Sequence, residues 1–343
     1  MSDQIPFSDE DLPGYLAELG LLDPGEPVCV ESAGEGNINW VRRVRSTARE
    51  RSFVVKQARP ALERFPEYRV STERIEFEAR WYETVARFDR DGICPRVHHF
   101  DSERKTLVLE DLAPAESLDG LLSRGGDASQ VTPALGRFLG EVHAGTRDPA
   151  LAARFANAEM RHLHGEHIFA LPFRGGEFPL SPAVERRAQA VIADADLLRR
   201  IGAAYSRYLD GALALVHGDV QPTNILVAQG RPKLIDAEIA HLGDPAFDVG
   251  QLVGHLWLRA LARGDARAAA PAVGALWSSY STAHGGALPF GFGDALVHAG
   301  VEMLRRTLGA ARIPEVGRDE IALRAIDAGR AWVLTPPARP SLL

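Results

Sequence analysis

Residues 217–240 read HGDVQPTNILVAQGRPKLIDAEIA, and this stretch sets two acids and an amide at the separations that phosphoryl transfer requires. Asp219 and Asn224 stand five positions apart, an interval at which one loop presents a proton-accepting carboxylate and a metal-ligating amide. Asp236 ends a short apolar run downstream. A transferring phosphoryl group passes through a loose transition state with little covalent bonding. The protein therefore has to position the nucleophile and neutralise charge, mainly through hard oxygen ligands on magnesium. Asp219 is the candidate base, and Asn224 and Asp236 are candidate magnesium ligands.

The local pattern supports this reading. Leu215 and Val216 lead into the loop, Ile225 to Val227 read as a strand, QGRP turns the chain, and Lys233 to Ile235 return as a second strand. The result is a β-hairpin with a site at each end. Any one Asp or Asn in a loop more often caps a turn. The combination of three is what points to chemistry.

HGDVQPTNIL with LIDAEIAHLGDPAFDVGQL resembles the motif pair of the aminoglycoside phosphotransferase and choline kinase superfamily, whose fold is similar to that of protein kinases. The resemblance implies an α+β, two-lobed protein-kinase-like fold, with a small β-rich nucleotide lobe and a larger, mainly helical lobe. It implies a kinase using ATP and Mg2+, with Asp219 as base, Asn224 and Asp236 on the metal, and His217 and Asp248 bracing the catalytic loop. In IDAEIA a carboxylate follows two positions after Asp236, as in methylthioribose kinases, which adds Glu238 to the candidate metal shell. YLAELGLL (15–22), AGEGNINWVRRV (33–44) followed by FVVKQA (53–58), and EMLRRTLGAAR (302–312) are similar to the same kinases. In that family an adjacent arginine pair contacts the sugar or the transferring phosphate, which here assigns Arg305 and Arg306 to substrate binding. The chain departs from that family after HGD, where QPTN replaces small residues, and in the segment that follows KQA.

The acceptor that these features imply is a small hydroxyl compound, methylthioribose or a related sugar. Aminoglycosides, choline and homoserine remain alternatives. A non-enzymatic alternative is a nucleotide-binding pseudokinase, against which the joint presence of Asp219, Asn224, Asp236 and Lys56 argues. The family resemblance leaves a homodimer open.

Nucleotide contacts are expected from the first third of the chain. Gly34, Gly36 and Asn37 lie in a turn between strands, where glycines let the backbone approach phosphate oxygens, although GEGN also reads as an ordinary hairpin turn. Lys56 on the following strand is placed to neutralise phosphate. Its orienting carboxylate is Glu76 or Glu78, and Glu78 neighbours the apolar face formed by Ile75, Ala79 and Tyr82. In LEDLAP the strand becomes a linker, so the backbone at Glu110 and Leu112 is available to hydrogen-bond adenine.

The chain divides at that linker into a nucleotide-binding lobe (1–112), a catalytic and substrate lobe (113–334) and a flexible tail (335–343). In the first lobe Ser8 reads as a helix cap, Val28 to Ser32, Ile38 to Arg45 and Ser52 to Gln57 read as strands, and Thr72 reads as the cap of a helix to about Arg87. Further strands are expected around Val97 and over Thr106 to Glu110. Helices are expected near Pro133 to Ala144, Val184 to Tyr208, Ala246 to Leu261 and Asp294 to Gly309. Trp40, Trp257 and Trp277 read as core residues, with stacking on a sugar or base as the alternative.

Composition sets bounds. At 343 residues with 45% hydrophobic and 25% charged residues, the chain is long enough for two cores of ordinary globular make-up. A net charge of −7 gives no general attraction for nucleic acid or anionic lipid. Cys29 and Cys94 are the only cysteines, which rules out a dense disulfide framework, and no paired Cys/His spacing suggests zinc. The acidic opening MSDQIPFSDEDL is unlike a signal peptide, and no apolar run approaches the ~18 residues of a membrane span. A reducing cytoplasm is the expected location.

Overall fold

The computed structural model describes residues 5–34, 39–61, 69–176 and 178–343, apart from the side chain of Leu342. They form two compact units: Met1–Ala86 with Cys94–Pro114, and Arg87–Ile93 with Ala115–Leu343. Residues 87–93 thus belong with the second unit, where Arg137 donates to Asp91 and the Ile93 carbonyl accepts the Leu234 N–H.

The first unit contains α1 (Leu12–Glu18), β1 (Val28–Ser32), β2 (Asn39–Ser46), β3 (Ser52–Ala58), α2 (Arg74–Val85), β4 (Val97–Asp101) and β5 (Thr106–Glu110). The strands form an antiparallel sheet in the order β1-β2-β3-β5-β4. Strand side chains alternate between faces. Phe53 and Val55 therefore join Trp40, Val44 and Val108 in a core against Leu12, Tyr15 and Leu16 of α1, while Lys56 turns to the other face and meets α2. Ser8 does not cap α1. Its hydroxyl donates to Asp11, which occupies the cap position without a side-chain cap bond. Nor does Thr72 cap α2, because that helix starts later, after Glu73. The buried face of α2 is Ile75, Glu78, Trp81, Tyr82 and Val85, with Ala79 only half-buried beside it.

The second unit holds β6 (Glu116–Ser117), α3 (Leu118–Ser123), α4 (Thr132–Gly145), α5 (Leu151–Arg154), α6 (Ala158–Gly165), α7 (Pro182–Ile192), α8 (Ala195–Asp210), β7 (Ala214–Val216), β8 (Ile225–Ala228), β9 (Arg231–Leu234), β10 (His241–Gly243), α9 (Ala246–Ala262), α10 (Ala270–His284), α11 (Phe292–Leu308) and α12 (Asp319–Leu334). Two small sheets, β6-β8-β9 and β10-β7, are set among the helices. The helix expected from Val184 to Tyr208 is two helices, because Asp194 takes an extended conformation and caps α8 through the Leu197 N–H. The hairpin turn is tighter than QGRP. Gln229 and Gly230 both take positive φ, the signature of a two-residue type I′ turn, and Arg231 already pairs with Ala228.

Close helix packing builds the floor of the site. A Cβ added at Gly250 of α9 would lie 2.3 Å from the Ala295 carbonyl oxygen of α11. Only glycine permits this approach, which brings side chains of α9 and α11 together. The expected tail is partly structured, with a short 3-10 turn at Pro340–Leu342. The tryptophans pack within the fold: Trp257 against Trp332, Trp277 against Tyr280, Phe290 and Phe292, and Trp40 under the guanidiniums of Arg42 and Arg59. Among the described residues, no helix is long and apolar enough to cross a membrane.

Candidate active site

The candidate catalytic loop between β7 and β8 hangs from Asp248, near the start of α9. The Asp248 carboxylate is fully buried and accepts the main-chain N–H groups of His217 at 2.8 Å and Gly218 at 2.9 Å. His143 of α4 approaches the same carboxylate at 3.2 Å, and its other ring nitrogen meets the Tyr280 hydroxyl at 3.0 Å. Burial alone raises the Asp248 pKa, but His143, His217 and the Gly218 N–H outweigh it and hold the carboxyl below its ordinary value. Gly218 has φ +82, and a Cβ there would sit 2.9 Å from the Ile239 carbonyl oxygen, so the tight bend before Asp219 requires glycine.

Asp219 is aimed by three amides. Gln221 Nε2 donates to Oδ2 at 2.8 Å, Asn224 Nδ2 to the same oxygen at 2.7 Å, and Gln251 Nε2 from α9 to Oδ1 at 3.0 Å. Two donors fill Oδ2, whereas Oδ1 retains an acceptor position. His164 Nε2 stands 3.8 Å from Oδ1, and burial together with the Arg305 charge holds this imidazole well below its ordinary pKa. Burial pushes the Asp219 carboxyl up to about 6, the charge of Asp236 adding to the rise while Arg305, Arg306 and the Gln221 bond oppose it.

The hairpin brings the metal candidates together. Ile225 pairs with Leu234, and the Ile235 N–H donates to the Asn224 carbonyl at 3.0 Å, so Ile235 stands opposite Asn224 and Asp236 is the next residue along. Asp236 has φ +71, an uncommon left-handed conformation for a non-glycine residue. Glu238 is buried, and its main-chain carbonyl accepts Asn157 Nδ2 at 2.9 Å. Among the described residues, no group of three or more His, Cys, Asp and Glu side chains is arranged to hold a metal ion. The hard-oxygen set at this place is an amide oxygen from Asn224 and a carboxylate from Asp236. The mutual repulsion of Asp236 and Asp219 is what a divalent cation relieves, so the donor set fits magnesium.

The arginine pair lies beside this centre. Both guanidiniums bind one buried carboxylate of α11. Arg305 Nη1 donates to the two oxygens of Glu302 at 2.8 and 2.9 Å, and Arg306 Nε donates to Oε1 at 2.8 Å. His255 Nε2 of α9 meets the same oxygen at 3.0 Å. Burial works to raise the Glu302 pKa, but the two arginines and His255 take it well below the ordinary value. Arg306 Nη2 also donates to Gln221 Oε1. Among the described residues, Arg305 spends its other donors on no protein acceptor.

The first unit carries the other sequence candidates. Lys56 Nζ donates to Glu78 Oε2 at 2.6 Å, and Tyr82 donates to the other Glu78 oxygen at 3.1 Å. Glu76 instead pairs with Arg80 and Lys105. Gly34 takes φ +125, with open space where a Cβ would stand, whereas Gly36 and Asn37 lie outside the described residues. Glu110 closes a loop with Arg96 through main-chain and side-chain bonds. Among the described residues, the Leu112 main chain makes no hydrogen bond.

Sequence reasoning passed over Gln221, Gln251, His164, His255 and Glu302. Glu302 was detectable, since it stands three and four positions before the two arginines, the spacing of paired charges on a helix. His164 and Gln251 reach Asp219 from distant segments and leave no local signal.

A sequence model of the phosphotransferase enzyme family matches residues 30–283. Among curated proteins, methylthioribose kinase of Citrobacter koseri is 29% identical, over 97% of this chain and 95% of its own length, and that of Klebsiella pneumoniae (strain 342) is 28% identical over 97% and 95%. Among solved structures, choline kinase of Cryptosporidium parvum superposes with a TM-score of 0.56 at 12% identity, covering 96% of this chain and 95% of that one. An aminoglycoside phosphotransferase of Alicyclobacillus acidocaldarius gives 0.52 at 14% identity, covering 99% and 98%. These likenesses show the protein-kinase-like fold. With the family model spanning most of the sequence, the chain belongs to the phosphotransferase enzyme family and is a small-molecule kinase.

Proposed function

We propose that this kinase transfers the γ-phosphoryl group of ATP, with magnesium, to a hydroxyl of a small sugar of the methylthioribose kind. The observation that carries the sugar reading is the arginine pair held beside Asp219 on a single buried carboxylate. Two guanidiniums against one Glu302 leave a net positive charge next to the base. Against the arginines that charge disfavours a cationic group of the acceptor and suits a neutral polyhydroxyl or the transferring phosphate. The Citrobacter koseri and Klebsiella pneumoniae relatives, both named methylthioribose kinase, support the same choice.

In this reading the acceptor hydroxyl gives its proton to Asp219 Oδ1, the carboxylate oxygen with an acceptor position left, as its oxygen bonds to phosphorus and the bond to the ADP leaving group breaks. Asn224 and Asp236 would hold magnesium, with Glu238 completing the shell. Magnesium, when bound, neutralises charge on the phosphate oxygens. Lys56, oriented by Glu78, would serve the donor phosphates, with Gly34, Gly36 and Asn37 supplying backbone contacts and Glu110 and Leu112 those to the base of the nucleotide. Arg305 uses its uncommitted donors on the acceptor.

The test is magnesium-dependent ADP release over a panel of methylthioribose, other pentoses, choline, homoserine and an aminoglycoside. The sugar reading expects the highest kcat/KM among the sugars. Preference for choline or the aminoglycoside would sink it.

A further inference from the structure

The amide of Gln221 has both of its ends committed. Nε2 donates to Asp219 Oδ2 at 2.8 Å, and Oε1 accepts from Arg306 Nη2. A carboxylate only accepts and a guanidinium only donates, so a single orientation of the amide satisfies both neighbours. Arg306 is fixed in turn by Glu302 at 2.8 Å and by the Ala311 carbonyl at 2.9 Å, and Glu302 is fixed by Arg305 and His255. A continuous set of hydrogen bonds therefore runs from α9 and α11 to the catalytic loop.

We propose that Gln221 is a positioning residue through which the arginine pair of α11 aims the Asp219 carboxylate at the acceptor. The proposal rests on the reading of Asp219 as the base and adds a coupling that this reading does not contain. Gln221 and Asn224 together fill Oδ2 and leave Oδ1 for the acceptor proton. Loss of Gln221 leaves one amide on each oxygen, Asn224 on Oδ2 and Gln251 on Oδ1, which loosens the hold on the carboxylate and opens an acceptor position on Oδ2 that competes with Oδ1 for the proton. An acceptor that displaces Arg306 misaims the base by the same route, so substrate fit and proton transfer are linked.

The experiment compares Gln221→Met, Gln221→Glu, Arg306→Lys and the double variant Gln221→Met/Arg306→Lys, with magnesium–ATP and methylthioribose, or the panel acceptor that turns over. Arg306→Lys keeps a positive charge near Glu302 and loses the forked reach to Gln221. Gln221→Met should lower kcat on the order of tenfold, with the KM for ATP and the thermal midpoint near those of the parent. Gln221→Glu should lower kcat further, because it sets a second carboxylate against Asp219. The double variant should be close to the worse single variant, since either change breaks the same connection. Parental kcat in both Gln221 variants, or losses that multiply in the double variant, overturns the proposal. Asp219→Asn in parallel separates the two readings. If it retains turnover, the base assignment fails; if it loses turnover while Gln221→Met keeps it, only the coupling fails.

Discussion

Gln251 donates its side-chain amide to Asp219 Oδ1 across 3.0 Å, from the same helix whose Asp248 holds the main chain just before Asp219. One helix therefore holds both the backbone and the carboxylate of the proposed catalytic loop. Asp219→Asn would place an amide among three amide donors, where it cannot take up the hydroxyl proton. Turnover should fall on the order of 10²-fold or more, with ATP affinity retained. Steady-state rates beside an ATP-binding isotherm check this, and turnover within a few-fold of the parent removes Asp219 as base.

Asp236 follows Ile235, the residue opposite Asn224 in the hairpin, and Glu238 lies buried two residues on. Asp236→Ala should abolish magnesium-dependent transfer. Glu238→Gln should raise the magnesium concentration needed for half-maximal rate. A magnesium titration unchanged by Glu238→Gln would assign that carboxylate to the scaffold alone.

Arg305 grips Glu302 through Nη1 and, among the described residues, keeps its remaining donors uncommitted, which makes Arg305→Lys more telling than Arg305→Ala. Alanine would leave buried Glu302 short of a partner and destabilise the fold, a cost of about 3–5 kcal/mol where a buried pair is broken outright. Lysine retains the charge and loses the fork. The KM for the acceptor should rise roughly tenfold, with little change in thermal midpoint or ATP binding. An unchanged acceptor KM would mean that Arg305 does not touch the acceptor.

Asp244 supplies a test in acid. Burial raises its pKa, but His298 at 3.4 Å, Arg207 at 2.9 Å and the Ala246 N–H bring the carboxyl down to about 2, from 3.8 for an unperturbed side chain. A lowered folded-state pKa contributes stability above the unfolded value, and that stability is lost as pH falls from ~4 toward ~2. The contribution at neutral pH is on the order of 2 kcal/mol. Asp244→Asn should lower stability by about that amount at pH 7 and flatten the stability curve below pH ~4. Denaturant melts at both ends of that range decide it, and an unchanged acid limb would refute the assignment.

The residue types and intervals of the catalytic loop were legible in the sequence because they are local. HGD followed by Asn224 and then Asp236 is set by one loop and one hairpin, and the strand pairing that brings Asn224 and Asp236 together needs only a two-residue turn. Helical spacing likewise made Glu78 the better of two candidate partners for Lys56. Helix starts were read less well at Ser8 and Thr72, since Asp11 and Glu73 occupy those caps without the side-chain bonds that make a cap recognisable. What surrounds Asp219 depended on the tertiary structure. Gln251, His164 and Arg306 come from α9, α6 and α11, and Gly250 lets α9 and α11 pack closely enough for their polar side chains to reach the same loop. Sequence spacing carries no record of which distant helix faces touch. The candidate catalytic and metal residues were therefore set by local order along the chain, whereas the electrostatic setting of Asp219 was decided by packing.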